Sequence, residues 1–289
     1  MPALRILVSR HSAFYSPLIS TLAAGFLARE GIEATYGLLP PGVRARDLIR
    51  DGQVDIVQSA VSSSWGPMEQ GERDLPVHFA QINQRDGFFL AAREPDAAFH
   101  WKKLEGAALL ADHAGQPLTM LRYAARCQGV DWSSIRVLDA GDVDAIDAAF
   151  RAGQGAYVHQ QAPGSGYVVA SVGAAMPAVA FSSLCASRIF LATDPARRFL
   201  DAFREAREWV AEAPAADIAR AQAPYFPSVP LDALSDAIAR YQSLGCWQGD
   251  ASIPADLYQQ ALEVFLASGS ISRRHPYDEV VAPRPLSGS

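Results

Sequence analysis

Lysine is nearly missing from this sequence. Lys102 and Lys103 are the only two, and the remaining positive charge is arginine scattered along the chain. With 25 basic against 31 acidic side chains the formal net charge is −6, and no Lys/Arg-rich block occurs. That balance argues against a nucleic-acid partner, which needs a basic footprint. Cysteine is scarce too. Cys127, Cys185 and Cys246 stand far apart with neither metal-ligand nor redox spacing, so they read as buried thiols. No apolar run approaches the ~18 residues of a membrane span. The opening MPALRILVS has no charged leader, no long apolar stretch and no small-residue cleavage site. Taken as the whole reading frame, the chain is expected in the cytoplasm. A trimmed export signal would send it to the periplasm instead.

What is present is a globular composition, 49% apolar and 19% charged, in a chain of 289 residues, long enough for two cores. Leu4 to Ser9 reads as a buried strand, and Ser16-Pro17 opens a helix that carries Leu18, Leu22, Phe26 and Leu27 at helical spacing and ends at Gly31. Ile32 to Leu38 is a second strand, Arg44 to Arg50 a short helix, VDIVQSA a third strand, and Pro76 to Phe89 supplies further strand. This βαβαβ order calls for a mostly parallel sheet covered by helices. The plan then repeats: GAALLADH as strand, QPLTMLRYAARCQG as helix, SIRVLDAG as strand, DVDAIDAAFRAG as helix and AYVHQQA as strand. LIRDGQVDIVQSA aligns with AFRAGQGAYVHQQ at an offset of 101, and His11 and His113 fall at corresponding strand tips. Convergent turn chemistry would account for the glycines alone. The shared order of elements points to two related α/β lobes. From Asp194-Pro195, read as a cap and first helical residue, the chain turns helical, with further helices over Leu231 to Leu244 and Pro254 to Leu266. The segment from Arg273 onward reads as a loose end.

Ligands of open α/β sheets bind at the carboxyl ends of strands. Here those positions hold RHSAFYSP, SAVSSSW, His113 to Pro117 and His159 to Gln161, far more polar and aromatic than tight turns require. The candidate contacts are Trp65, Phe14 or Tyr15 for stacking, and His11, Ser59, Ser62, His113, Gln116, His159 and Gln160 for polar contact. Arg85 is the candidate oxyanion partner, with a plain ion pair to Asp86 as the alternative. Trp65 packing a Ser-capped helix is the alternative reading of that loop. No two histidines share metal-ligand spacing, so neither a metal nor a cofactor is expected. No Ser-His-Asp motif or nucleophile elbow appears; were there acid/base chemistry, Asp86, Asp112 and Asp139 would be the partners of the histidines.

SPLISTLAAGFLAREGIEATY, LIRDGQVDIVQSA, WKKLEGAALLA, GVDWSSIRVLDAG and AFRAGQGAYVHQQAP resemble the successive signatures of the NMT1/THI5-like proteins, the ABC-transporter substrate-binding proteins for nitrate, sulfonates, taurine and pyrimidine precursors. The resemblance spans Leu4 to Leu266. It implies a type II periplasmic-binding-protein-like fold of two lobes with mostly parallel sheets and a helical C-terminal segment. The crossovers would fall near Gln84 to Phe89 and Phe181 to Ser187. Lobe I would comprise 1–86 and 187–289, and lobe II 87–186, with the cleft between them. It further implies a monomer that binds an anionic or heteroaromatic organic solute, closes on it by hinge motion and partners an ABC permease, with a periplasmic location. The chain departs from the pattern in having Ala156 where the first lobe keeps Asp55, and in lacking the Cys-rich run of the pyrimidine synthases. A cytoplasmic decarboxylase- or dehydratase-like enzyme of small aromatic acids on the same scaffold, or a ligand-sensing subunit, is the alternative.

Overall fold

In a computed structural model that describes residues 3–113 and 115–282, the chain forms two five-stranded sheets flanked by helices. The strands are β1 (Leu4–Val8), β2 (Ala34–Leu38), β3 (Ile56–Ser59), β4 (Val77–Asn83), β5 (Phe88–Ala92), β6 (Ala108–Leu110), β7 (Arg136–Leu138), β8 (Tyr157–Gln161), β9 (Tyr167–Ser171) and β10 (Ser182–Ala186). The helices before the second sheet are α1 (Ser16–Ala23), α2 (Phe26–Arg29), α3 (Ala45–Arg50) and α4 (Ser62–Glu69). α5 (Gln116–Cys127) and α6 (Val143–Arg151) flank the second sheet. The C-terminal third is α7 (Arg188–Leu191), α8 (Asp194–Glu212), α9 (Ala215–Gln222), α10 (Leu231–Leu244), α11 (Ala255–Ala267) and α12 (Tyr277–Val280).

The two sheets have the same plan. Their orders are β2-β1-β3-β10-β4 and β7-β6-β8-β5-β9. In each, the first three strands pair in parallel and the last two antiparallel. Only the parallel half is coded by βα repeats. The antiparallel half comes from strands that arrive from the other sheet, β10 into the first and β5 into the second. Ser182–Ala186 therefore hydrogen-bonds in the first sheet, five residues before the chain was expected to return there. The departure at Ala156 has a local cause. Asp55 accepts the Arg5 backbone N–H at 2.8 Å and is gripped by its guanidinium, whereas the residue that pairs with Ala156 as Arg5 does with Asp55 is Ala108, with no charge to balance. Arg93 reaches the same turn from the neighbouring strand and donates to the carbonyls of Phe150, Gln154 and Gly155.

Capping differs in detail from the sequence reading. Thr193, not Asp194, caps α8, its hydroxyl accepting from Ala196 N. The first helix stops at Ala23 and resumes at Phe26 after a left-handed Gly25. The segment after Arg273 is no loose end as far as it is described: Tyr277 donates to Ile253 O at 2.5 Å and Ala282 N to His78 O at 2.8 Å. Residues 283–289 lie outside the described residues. Cys185 and Cys246 are buried, but Cys127 is exposed at the end of α5.

The two crossings run side by side. Val179 N and Phe181 N donate to the carbonyls of Gln84 and Asn83, Val172 N donates to Phe88 O, and Arg85 donates to Gly173 O. Space between them is minimal. A methyl group at Gly87 would stand 2.3 Å from the Phe14 ring, and one at Gly173 would stand 2.2 Å from Asp86 O. Asp86 sits in this seam, 1% exposed, with one carboxylate oxygen accepting from Phe88 N at 2.6 Å. Burial pushes its carboxyl up to about 8, so it is protonated at neutral pH.

That shift has a measurable consequence. A folded-state value raised above the unfolded 3.8 gives stability that is full below 3.8 and is lost as pH rises towards 8. His78 and His159, held near 3 by burial, and His11 and His275, also lowered by burial, act oppositely until about a unit above their unfolded value of 6.5. Between pH 7.5 and 8, therefore, wild-type stability is expected to fall by up to ~1.4 kcal/mol per unit. In Asp86→Asn most of that fall should disappear. Denaturant melts across that window check it; an unchanged slope in the variant refutes the assignment.

Candidate functional site: a cleft between the two sheets

A cavity of about 470 Å³ opens where the carboxyl ends of the parallel strands of both sheets converge. Its walls come from the β1 tip (Ser9, Arg10), Tyr15, the β3 end and α4 start (Gln58, Ser59, Ala60, Ser62, Ser63), Phe88, the α5 start (Gln116, Pro117, Thr119) and Gln161. Phe181 and Ser182 from the second crossing, with Phe265 and Ser270 from the C-terminal segment, complete it. Larger crevices elsewhere on the surface do not sit at strand carboxyl ends or between the sheets. The chemistry of an α/β cleft belongs to this one.

Three polar pairs span it. Arg10 at the β1 tip binds Asp112 at the β6 tip, its guanidinium also lying 5.3 Å from the Phe88 ring centroid. Ser62 donates to Gln116 Oε1 at 2.5 Å, and Gln116 Nε2 donates to Phe181 O at 2.8 Å. The hydroxyls of Thr119 and Ser270 meet at 3.4 Å. The first turns of α4 and α5 both abut the cavity, so their helix dipoles and the hydroxyls of Ser59, Ser62 and Ser63 favour an oxyanion there. Tyr15, Phe88, Phe181 and Phe265 supply apolar faces.

Of the residues expected from sequence, Tyr15, Ser59, Ser62 and Gln116 line this cavity. Others are placed elsewhere, each for a physical reason. His11 accepts from the Tyr36 hydroxyl at 2.8 Å, donates to Tyr225 O at 2.7 Å and stacks on Phe226, tying β1 to the helical third. Phe14 is fully buried among Tyr15, Phe181 and Tyr241. Trp65, 0% exposed, lies edge-on against Tyr258 and Phe265 and donates to the Tyr258 hydroxyl at 3.0 Å. It packs α4 onto α11 and makes no part of the cavity wall. Arg85 is spent on Gly173 O in the crossover, with no ion pair to Asp86 among the described residues. His113 donates to Ala111 O at 2.9 Å beside Asp139 at the surface.

On β8 the sequence reading slipped by one residue, which changes the face of a strand. Gln160 turns away to Ser165 O, while Gln161 faces the cavity against Tyr15. His159 shares the Gln161 side but lies beneath Phe88, stacked at 4.5 Å with its pKa driven down to about 3 by burial. The acid/base partners considered from sequence are likewise dispersed: Asp86 in the seam, Asp112 on Arg10, and Asp139 accepting from Gly141 N. Among the described residues no group of three His, Cys, Asp or Glu could hold a metal ion.

Arg10 is the residue that sequence reasoning passed over. It stands in RHSAFYSP, and a signal for it existed: the two strand-tip segments carry Arg10 and Asp112, of opposite charge, each one residue before a histidine. Phe265 and Ser270 carried no local signal, because they reach the cleft only through the docking of α11.

The position of Trp65 predicts the outcome of truncating it. Trp65→Ala should cost ~3–5 kcal/mol of stability, as for other buried aromatics, with ligand affinity changed only through the folded fraction. Chemical denaturation beside titration of the folded variant checks this; a stable variant with much weakened binding would put the indole in the site after all.

Known proteins give this geometry its setting. A family profile described as "NMT1/THI5 like" matches residues 14–217. The "Putative binding protein YtlA" of Bacillus subtilis (strain 168) is 28% identical over 283 residues, covering 94% of this chain and 85% of YtlA. Among solved structures, the ligand-binding component of an ABC-type import system from Staphylococcus aureus, with zinc bound, superposes with a TM-score of 0.74 at 13% identity, over 98% of this chain and 97% of that one. The periplasmic aliphatic sulphonate binding protein SsuA of Escherichia coli does so with a TM-score of 0.69 at 16% identity, over 94% and 95%. At such identities the structures establish a shared periplasmic-binding-protein fold, while the profile, spanning most of the chain, establishes descent: the protein belongs to the NMT1/THI5-like family.

Proposed function

We propose that this protein is the solute-binding component of an ABC-type importer, closing two lobes, divided at the crossings, on a small organic molecule. The observation that carries the reading is the interlobe cavity of about 470 Å³, walled by both sheets and spanned by three polar pairs. A ligand seated there with an oxyanion against the first turns of α4 and α5 and an apolar body among Tyr15, Phe88 and Phe265 would bridge the lobes as those pairs do. Its binding would then favour the closed form over an open one. The name of YtlA supports a binding role, and those of the Staphylococcus aureus import-system component and of periplasmic SsuA support the transport assignment, a permease partner and a location outside the cytoplasmic membrane.

Thermal shift against organic sulfonates, carboxylates and heteroaromatic acids tests it. A true ligand raises the melting temperature by mass action and is recovered unchanged, and X-ray scattering shows the molecule contracting. Gln116→Leu, which removes the bonds to Ser62 and to Phe181 O, should weaken binding by roughly three- to tenfold, the worth of one or two net hydrogen bonds. A stabilising compound that is consumed on incubation would replace this reading with the enzyme, and a panel without any stabiliser would end it.

A further inference from the structure

Three glutamines stand in the cavity wall, and two of them are occupied by the protein itself. Gln58 accepts from Ser9 N at 3.1 Å and from the Ser9 hydroxyl at 2.7 Å, and it donates to Ser59 O at 3.3 Å. Gln116 accepts from Ser62 and donates to Phe181 O. Gln161 differs. It is 7% exposed and lies against Tyr15, yet its amide oxygen has no hydrogen-bond partner among the described residues. A buried carbonyl left in that state is costly, and native proteins seldom keep one without a use for it. Nor is the side chain free to turn elsewhere. Gln161 is the last residue of β8, paired with Phe88 of β5, and the Tyr241 hydroxyl clamps both N and O of the next residue, Ala162. The backbone is fixed on either side, and strand parity turns the amide to the cavity.

We infer that Gln161 is a specificity-determining residue whose free oxygen accepts from the solute. The cleft therefore selects molecules that bring an uncharged N–H or O–H donor to the Tyr15 side over molecules of equal shape without one. The donor is uncharged because an amide oxygen supplies no counter-charge to an ammonium group in so buried a wall. A ketone or a hydrocarbon at the same place would leave the oxygen unanswered, and a site built around a buried hydrogen bond rejects the analogue that cannot make it. The inference rests on the proposed binding function.

The test uses the full chain and two pairs of monoanions matched in charge and shape, with binding measured by calorimetry. The first pair is succinamate and levulinate, and the second is glutaramate and the corresponding methyl ketone, one methylene longer. Within each pair an amide nitrogen is exchanged for a methyl carbon. The wild type should prefer the amide by about tenfold, ~1.4 kcal/mol, in the pair whose length suits the cleft. Gln161→Met, which keeps the length of the side chain and removes the acceptor, should bring the two affinities within about twofold of each other. Because it also removes an unanswered carbonyl, it should leave the melting temperature of the ligand-free protein unchanged or higher. Gln161→Leu should behave alike, so failure of one variant to fold leaves the other to decide. A merely structural amide predicts the reverse, a lowered melting temperature with the preference intact. That result overturns the inference, as do equal affinities within both pairs in the wild type and failure of both variants to fold. If none of the four probes binds while the thermal-shift panel yields another ligand, the inference falls and the binding function stands. If the whole panel fails, both fall.

Discussion

The exchange of strands between the sheets is the constraint on which the rest of the molecule depends. β10 is inserted between β3 and β4, and β5 between β8 and β9, so each sheet holds as an interior member a strand delivered by the crossing from the other. An interior strand satisfies its backbone groups on both edges and cannot be withdrawn without stranding them. The two sheets are thereby fastened through hydrogen-bonded ladders, and the short seams between them, 84–87 and 172–181, run side by side and are bonded to each other. Which strand tips meet across the cavity is set by that exchange.

This arrangement explains which parts of the fold were legible. The parallel halves announced themselves by βα periodicity, by Pro17 and Pro117 in first turns, and by the offset between Leu48–Ala60 and Ala149–Gln161. The antiparallel halves did not, because β9 and β10 owe their pairing to partners 75 to 128 residues away in sequence. In the candidate site, the polar strand tips border the cavity between the sheets, and Tyr15, Ser59, Ser62 and Gln116 line it. What sequence could not supply was the direction of each side chain. His11 and Trp65 were drawn away by the helical third, Phe14 by the Gly87 contact, and Gln160 by the parity of β8.

Buried polar groups near the cleft follow one rule. Where a partner exists the group is charged, as in Arg10 with Asp112; where burial is not offset by a counter-charge the group is neutral, as in Asp86, His78 and His159. The interior around the cavity therefore holds one compensated ion pair among neutral groups, which magnifies the effect of any single ionic change made there.

Phe265 belongs to two neighbourhoods at once. One face borders the cavity, and the ring centroid lies 5.1 Å from that of Trp65. The molecule thus carries an indole one side chain behind the cavity wall. It is shielded from solvent, so its emission is set by the rings of Tyr258 and Phe265 on α11, by the His275 ring stacked at 6.5 Å, and by the bond to Tyr258. Any shift of α11 against α4 changes the environment of a fluorophore that makes no part of the cavity wall.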